Sequence, residues 1–181
     1  MPRGRGDVLL VAATEHELGG HEGLICGIGP VEAAAVTALA IVRERPRAVV
    51  NVGLAGGRGI GPRTLVIGTE AYYHDLRAGI PVVSKALPDA ALLENLRGAL
   101  PEAELRPIVT SAMVGGDHGD PEVEAMEGFA VLRACALAEV PAIEVRAISN
   151  EIGEADRLRW DIAGALRALG GAIPRLLEGL G

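Results

Sequence analysis

Three polar side chains stand out because of what precedes them, and together they carry the makings of a hydrolytic site. Glu17 closes the triplet Glu15-His16-Glu17, which follows the continuous apolar run from Asp7 to Ala13. A carboxylate just beyond a buried strand sits where parallel sheets place their ligands, and there Glu17 can act as a general base for water. The same triplet also reads as a solvated helix start, where acids are common. A second acid, Glu127, lies in Met126-Glu127-Gly128 before a run of small residues. Asn150 ends the strand-like segment Ala147-Ile148-Ser149. Its amide both donates and accepts hydrogen bonds, whereas an ionised carboxylate only accepts.

Other candidates are weaker. Gly27-Ile28-Gly29-Pro30 follows a short apolar run and opens a helix, where backbone N–H groups collect anions. It lacks the third glycine of a dinucleotide fingerprint and the lysine of a phosphate loop, so a plain strand-to-helix turn is the favoured reading. Gly53 to Gly57 (Gly-Leu-Ala-Gly-Gly) is denser in glycine than a turn requires, and glycine lets a ligand approach the backbone. Gly115-Gly116-Asp117-His118-Gly119-Asp120 resembles a metal loop but lacks a spaced ligand set. Tyr72-Tyr73-His74-Asp75 reads as structural or as a subunit contact. With only Cys26 and Cys135, neither a disulfide framework nor a zinc site is supported. No cofactor and no metal is suggested.

These residues need a scaffold, and the patterning supplies one. The 181-residue chain is 49% hydrophobic, ample for one domain with a core. Its net charge of −7 argues against a nucleic-acid backbone or an anionic membrane as partner. No apolar run has the length of a membrane span, and Met1 to Gly6 reads as a frayed start without a signal-peptide cleavage site. Strands are expected at 7–13, 24–26, 48–52, 64–68, 81–84, 108–112 and 142–149. Helices are expected at 31–45, from Pro88-Asp89 to about Leu100, at 122–139, and from Asp156 to about Gly170 with Trp160 on its inner face. The first helix has Val31, Ala35, Ala38, Leu39 and Val42 on one stripe. Gly170-Gly171 and Pro174 should kink or divide the last segment. Alternating strands and helices make the class α/β, one three-layer domain with a mostly parallel or mixed twisted sheet flanked by helices.

Taken in order, these pieces resemble the purine nucleoside phosphorylase/hydrolase superfamily, and within it the futalosine hydrolases most. The resemblance covers nearly the whole chain. It rests on Ala13-Thr14-Glu15-His16-Glu17, Gly27-Ile28-Gly29-Pro30, Asn51-Val52-Gly53-Leu54-Ala55-Gly56-Gly57, Tyr73-His74-Asp75, Met126-Glu127-Gly128 and Arg146-Ala147-Ile148-Ser149-Asn150. Gly153, Asp156-Arg157 and Trp160 ahead of an Ala/Leu helix look like the hydrolase branch. Each motif is weak alone; six in order are specific.

The resemblance implies a cytoplasmic homo-oligomer, dimer or tetramer, that acts on a small-molecule nucleoside. In the futalosine branch this is one step of an alternative menaquinone pathway. Carried over residue by residue, Glu17 matches the acid that activates water, and Met126 and Glu127 match the residues lining the ribose. Asn150 matches the base-side residue, where adenine-reading relatives place a carboxylate; an amide suits the O6 acceptor of hypoxanthine. Gly56 would face the base through its backbone, with Val114 and Gly115 beside the purine. This chain departs from the family in being shorter, with trimmed segments after Asp75 and Gly115. Leu54 stands in place of the serine of methylthioadenosine-type nucleosidases. Aromatic residues are only 2% of the sequence, so base stacking is expected to use aliphatic side chains or a partner subunit.

Overall fold

Five parallel and three antiparallel pairings organise the chain, seen here in a computed structural model that describes residues 7–113 and 121–181. Strand β1 (Val8–Ala12) pairs in parallel with β2 (Leu24–Ile25) and β3 (Ala48–Gly57). β3 in turn runs parallel to β8 (Ala142–Glu151). Leu9 and Val11 of β1 pack on one face of the sheet and Leu10 and Ala12 on the other, so a strand buried on both sides reads as an unbroken apolar run.

Helices cover both faces. α1 (Pro30–Glu44) and α3 (Gly128–Leu137) cover the Leu9/Val11 side, with Ala33, Ile41, Phe129 and Val131 in that core. α2 (Ala90–Ala99) and α4 (Ile162–Gly179) cover the other, where Leu96, Leu169, Ile173 and Leu176 meet Val50, Val52 and Val145. The expected flanked, mixed sheet is therefore present.

The sheet also closes on itself. β8 pairs with β4 (Leu65–Tyr73), β4 with β6 (Glu104–Thr110), β6 with β7 (Val123–Ala125), and β7 returns to β3. A third apolar cluster, Ala55, Val66, Ile108, Val123, Ala125 and Ile148, belongs to these ring strands. Register shifts at Ala55/Gly56 and Gly68/Glu70 mark where β3 and β4 bend, as bulges do.

Several elements differ from the sequence expectation. Residues 122–139 are not one helix: Glu124 pairs with both Gly56 and Val109 inside β7, and helix α3 starts only at Gly128. Strand pairing on both sides outweighs local helix propensity there. Residues 81–84 form no strand; the pairing falls one residue later, in β5 (Lys85–Ala86), opposite Tyr72 and Ala71. The last helix starts late. Asp161 caps α4 by accepting from the Gly164 N–H at 2.9 Å, after a single 3₁₀ turn Arg157–Arg159. It does not divide at Gly170-Gly171 or Pro174, because Ala165, Leu169, Ala172, Ile173 and Leu176 bury one unbroken face.

The helix stripe on α1 is reversed. Ala33, Thr37, Ala40 and Ile41 are buried, while Val31 (77%) and Val42 (75%) are largely exposed.

Candidate active site

A cavity of about 300 Å³ opens beyond the carboxyl ends of β1, β3 and β8, lined by Glu17, Gly56, Met126, Glu127 and Asn150 among others. Five of the seven residues expected at the site therefore share one space. Val114 and Gly115 lie outside the described residues.

Each polar group is held by a different element. Glu17 sits in the 3₁₀ turn Glu15–Leu18 that follows β1, and is buried. Its Oε2 accepts from the Thr14 N–H and hydroxyl, both at 2.9 Å, and its Oε1 from the Leu54 N–H at 3.0 Å. A carboxylate fixed at both oxygens is oriented before any ligand arrives. Glu127 lies between β7 and α3, 4% exposed. Its Oε1 accepts from the Gly29 N–H at 3.1 Å and its Oε2 from Arg146 Nη1 at 3.3 Å. The Gly-x-Gly-Pro turn does receive an anion, then, and the anion is the protein's own. Gly29 has φ 93°, a backbone conformation that suits glycine alone.

Asn150 ends β8 and is set by Ser149, whose hydroxyl donates to Asn150 Oδ1 at 2.7 Å. The Asn150 amide donates to the Glu151 carbonyl at 3.0 Å. One lone pair and one N–H are left for a ligand.

The glycine-rich segment is a strand, not a turn, since β3 runs through Gly57. Gly53 is needed because Arg146 and Glu17 press against it from one side, where a Cβ would overlap the guanidinium. Gly56 lies against Asn150, with its would-be Cβ 3.2 Å from Nδ2. These glycines let functional side chains approach the backbone, and Gly56 in addition faces the cavity.

Arg146 is the main residue that sequence reasoning left without a role. It is wholly buried in β8. Its Nε donates to Glu144 at 2.8 Å, Nη2 to Asn51 Oδ1 at 2.6 Å, and Nη1 to Glu127. Burial pulls the guanidinium pKa down, but Glu144, Glu127 and Glu17 outweigh it and hold Arg146 charged. The signal was available: Glu144-Val145-Arg146 puts two charges on one face of an otherwise apolar strand, and buried charges must be paired. Trp160 was expected inside a helix. It lies instead in the link before α4, donates from its indole to the Glu154 carbonyl at 3.0 Å, and lines the cavity. An aromatic surface is thus supplied by this chain itself. Cys26 is buried nearby, and burial, reinforced by Glu127, pushes its thiol up to about 12, so it is not a nucleophile here.

The arrangement is an oriented acid, a second acid held by an arginine, and a carboxamide, around a largely apolar space. Residues 13–118 match the family described as the Phosphorylase superfamily. A futalosine hydrolase from Acidothermus cellulolyticus is 35% identical over 180 residues, covering 84% of this chain and 73% of that protein. One from Streptomyces coelicolor is 35% identical over 189 residues, covering 87% and 78%. A 5'-methylthioadenosine/S-adenosylhomocysteine nucleosidase from Bacillus thuringiensis is 30% identical, covering 82% and 76%. Among solved structures, futalosine hydrolase of Helicobacter pylori superposes with a TM-score of 0.84 at 16% identity, covering 96% of this chain and 98% of that one. The chain belongs to the phosphorylase superfamily.

Proposed function

We propose that the protein hydrolyses the N-glycosidic bond of a 6-oxopurine nucleoside, with futalosine as substrate and hypoxanthine and dehypoxanthine futalosine as products. The observation that carries this reading is the shared cavity of Glu17, Glu127 and Asn150. The names of the two 35%-identical relatives support the choice of futalosine, and with it a step in menaquinone biosynthesis.

Cleavage of a glycosidic bond develops positive charge on the sugar. Glu17 would orient and deprotonate water on the face opposite the base. Glu127 would accept from the ribose hydroxyls, and its negative charge would favour the cationic sugar. Asn150 would donate to O6 and accept from a protonated N7, easing departure of the base. Trp160 and Met126 would bound the nucleoside with apolar surface.

Hydrolysis is favoured over phosphorolysis. A phosphate pocket needs an arginine or lysine facing the anion. Among the described residues that line the cavity there is none. Arg63 is held by Asp161 at 2.5 Å, and Arg58 donates to the Pro121 carbonyl at 3.2 Å. The buried Arg146 is committed to Glu144, Glu127 and Asn51.

A methylthioadenosine-type activity is the second reading, favoured by the Bacillus relatives. Chromatography of products from futalosine, inosine and methylthioadenosine, with and without phosphate, separates the possibilities. Futalosine should release hypoxanthine without phosphate. Faster adenine release, or an absolute need for phosphate, overturns the proposal.

We also infer a cytoplasmic homo-oligomer. The outward apolar side chains of α1 and α3 border a groove of about 650 Å³ that includes Val31, Val42 and Leu137. Contiguous exposed apolar surface of this kind marks a protein interface. No helix among the described residues is long and apolar enough to cross a membrane.

A further inference from the structure

Glu144 is wholly buried on β8, two residues before Arg146, and nothing in the reaction above uses it. Its Oε1 accepts from Arg146 Nε at 2.8 Å, while its Oε2 has no hydrogen-bond partner among the described residues. The carboxyl fills the space left by the absent side chain of Gly128, where a Cβ would overlap it. Gly128 opens α3 directly after Glu127. The carboxyl therefore lies under the helix start that carries the ribose-side acid. An apolar side chain of similar volume would fill this space without stranding an oxygen.

The distribution of donors on Arg146 gives the carboxyl a use. Nε goes to Glu144, Nη2 to Asn51 and Nη1 to Glu127. A guanidinium with Nε unengaged can rotate onto a carboxylate through two parallel N–H bonds, the geometry it prefers. On Glu127 that would occupy both oxygens and cancel their charge. Four charged groups meet here: Glu144 and Arg146 from β8, Glu127 ahead of α3, and Glu17 from the turn after β1.

We propose that Glu144 is a positioning residue: by engaging Arg146 at Nε it makes the guanidinium meet Glu127 through Nη1 alone, leaving Glu127 charge and a lone pair for a sugar that becomes cationic. This rests on the N-glycosidase reading and names how its second acid is kept available.

The test is Glu144→Met, which nearly keeps volume and removes both the charge and the acceptor for Arg146 Nε. kcat on futalosine should fall at least tenfold with KM within threefold. Affinity for a cationic iminosugar mimic of the nucleoside should fall at least tenfold, and affinity for a neutral, non-hydrolysable nucleoside by less than threefold. A role in packing alone moves both ligands together or neither, and either result overturns the proposal. If Glu144→Met does not fold, the pair Glu144→Ala with Gly128→Ala, whose added methyl refills part of the vacated space, should show the same ligand ratio. Crystal structures of wild type and variant keep the question separate from the activity itself. Arg146 should swing towards Glu127 in the variant, and a guanidinium that stays in place sinks the inference even if the wild type cleaves no purine nucleoside.

Discussion

At the residue scale, the roles proposed for Glu17 and Asn150 each make a distinct prediction. Glu17 is oriented by three donors that occupy both of its oxygens, so an amide in its place keeps the volume but sets its NH2 against an N–H donor. Glu17→Gln should lower the melting temperature while keeping the native far-UV circular dichroism, and lower kcat about 10²–10⁴-fold, the range for losing a general base; an unchanged kcat removes Glu17 from the reaction. Asn150→Asp replaces an amide that donates with a group that only accepts. The ratio of hypoxanthine to adenine release from inosine and adenosine should drop, by as much as about 10⁴ if the site is built around the O6 contact. An unchanged ratio removes Asn150 from base reading. Arg146 differs from both, because its loss strands buried carboxylates. Arg146→Met should cost about 3–5 kcal/mol of stability, as breaking a buried ion pair does, measurable by denaturant titration alongside loss of turnover.

Glu144 also has a pH signature. Burial raises its pKa above the ordinary carboxyl range, and Arg146 only partly offsets this. A carboxyl whose folded-state pKa is raised favours the folded state below its unfolded value, about 4.3, and loses that contribution as pH rises through the folded value. Glutamine does not titrate. The stability of Glu144→Gln relative to wild type should therefore increase from about pH 4 upwards; a difference that is flat with pH in denaturant melts would show that Glu144 is not raised.

At the scale of elements, the site depends on where helices begin. The Gly29 N–H at the start of α1 and Arg146 in β8 together hold Glu127 at the start of α3. Gly29→Ala forces a side chain into φ 93°. It should reduce activity while the sheet survives, visible as near-native far-UV circular dichroism with lower kcat/KM; full activity would separate α1 from the site. This dependence also explains what was legible in the sequence. The buried strands were readable because apolar runs are local signals; Glu17, Glu127 and Asn150 were singled out through the family resemblance, and they line one cavity. β7 was not readable, since Val123-Glu124-Ala125 becomes a strand only through β3 and β6, far away in the chain. The α1 stripe misled for a related reason. Periodicity shows that a helix has an apolar side, not whether the sheet or another surface covers it. Trp160 was placed in a helix because the cap at Asp161 follows it by one residue, and boundaries of that kind are the least certain part of any pattern.

The whole molecule presents that stripe to solvent. Val31, Val42 and Leu137 are each at least 70% exposed. If a second copy covers them, Val42→Glu with Leu137→Glu should shift the protein to a monomer in sedimentation while each chain stays folded; an unchanged mass would place the contact elsewhere. The ring of strands explains why such a change should leave the cavity standing. The walls of the cavity come from β3, β7 and β8, which are tied to one another by main-chain bonds.

The knot of Glu127, Glu144 and Arg146 buries charge at a cost to the native state, which the proposed reaction would justify. Exchanging all three at once for apolar residues of matched bulk should yield a hardier and catalytically dead scaffold, since hydrophobic replacement of a complete buried ion cluster is often neutral or stabilising by about 1–4 kcal/mol. Selection for heat tolerance without selection for activity would erode this cluster first.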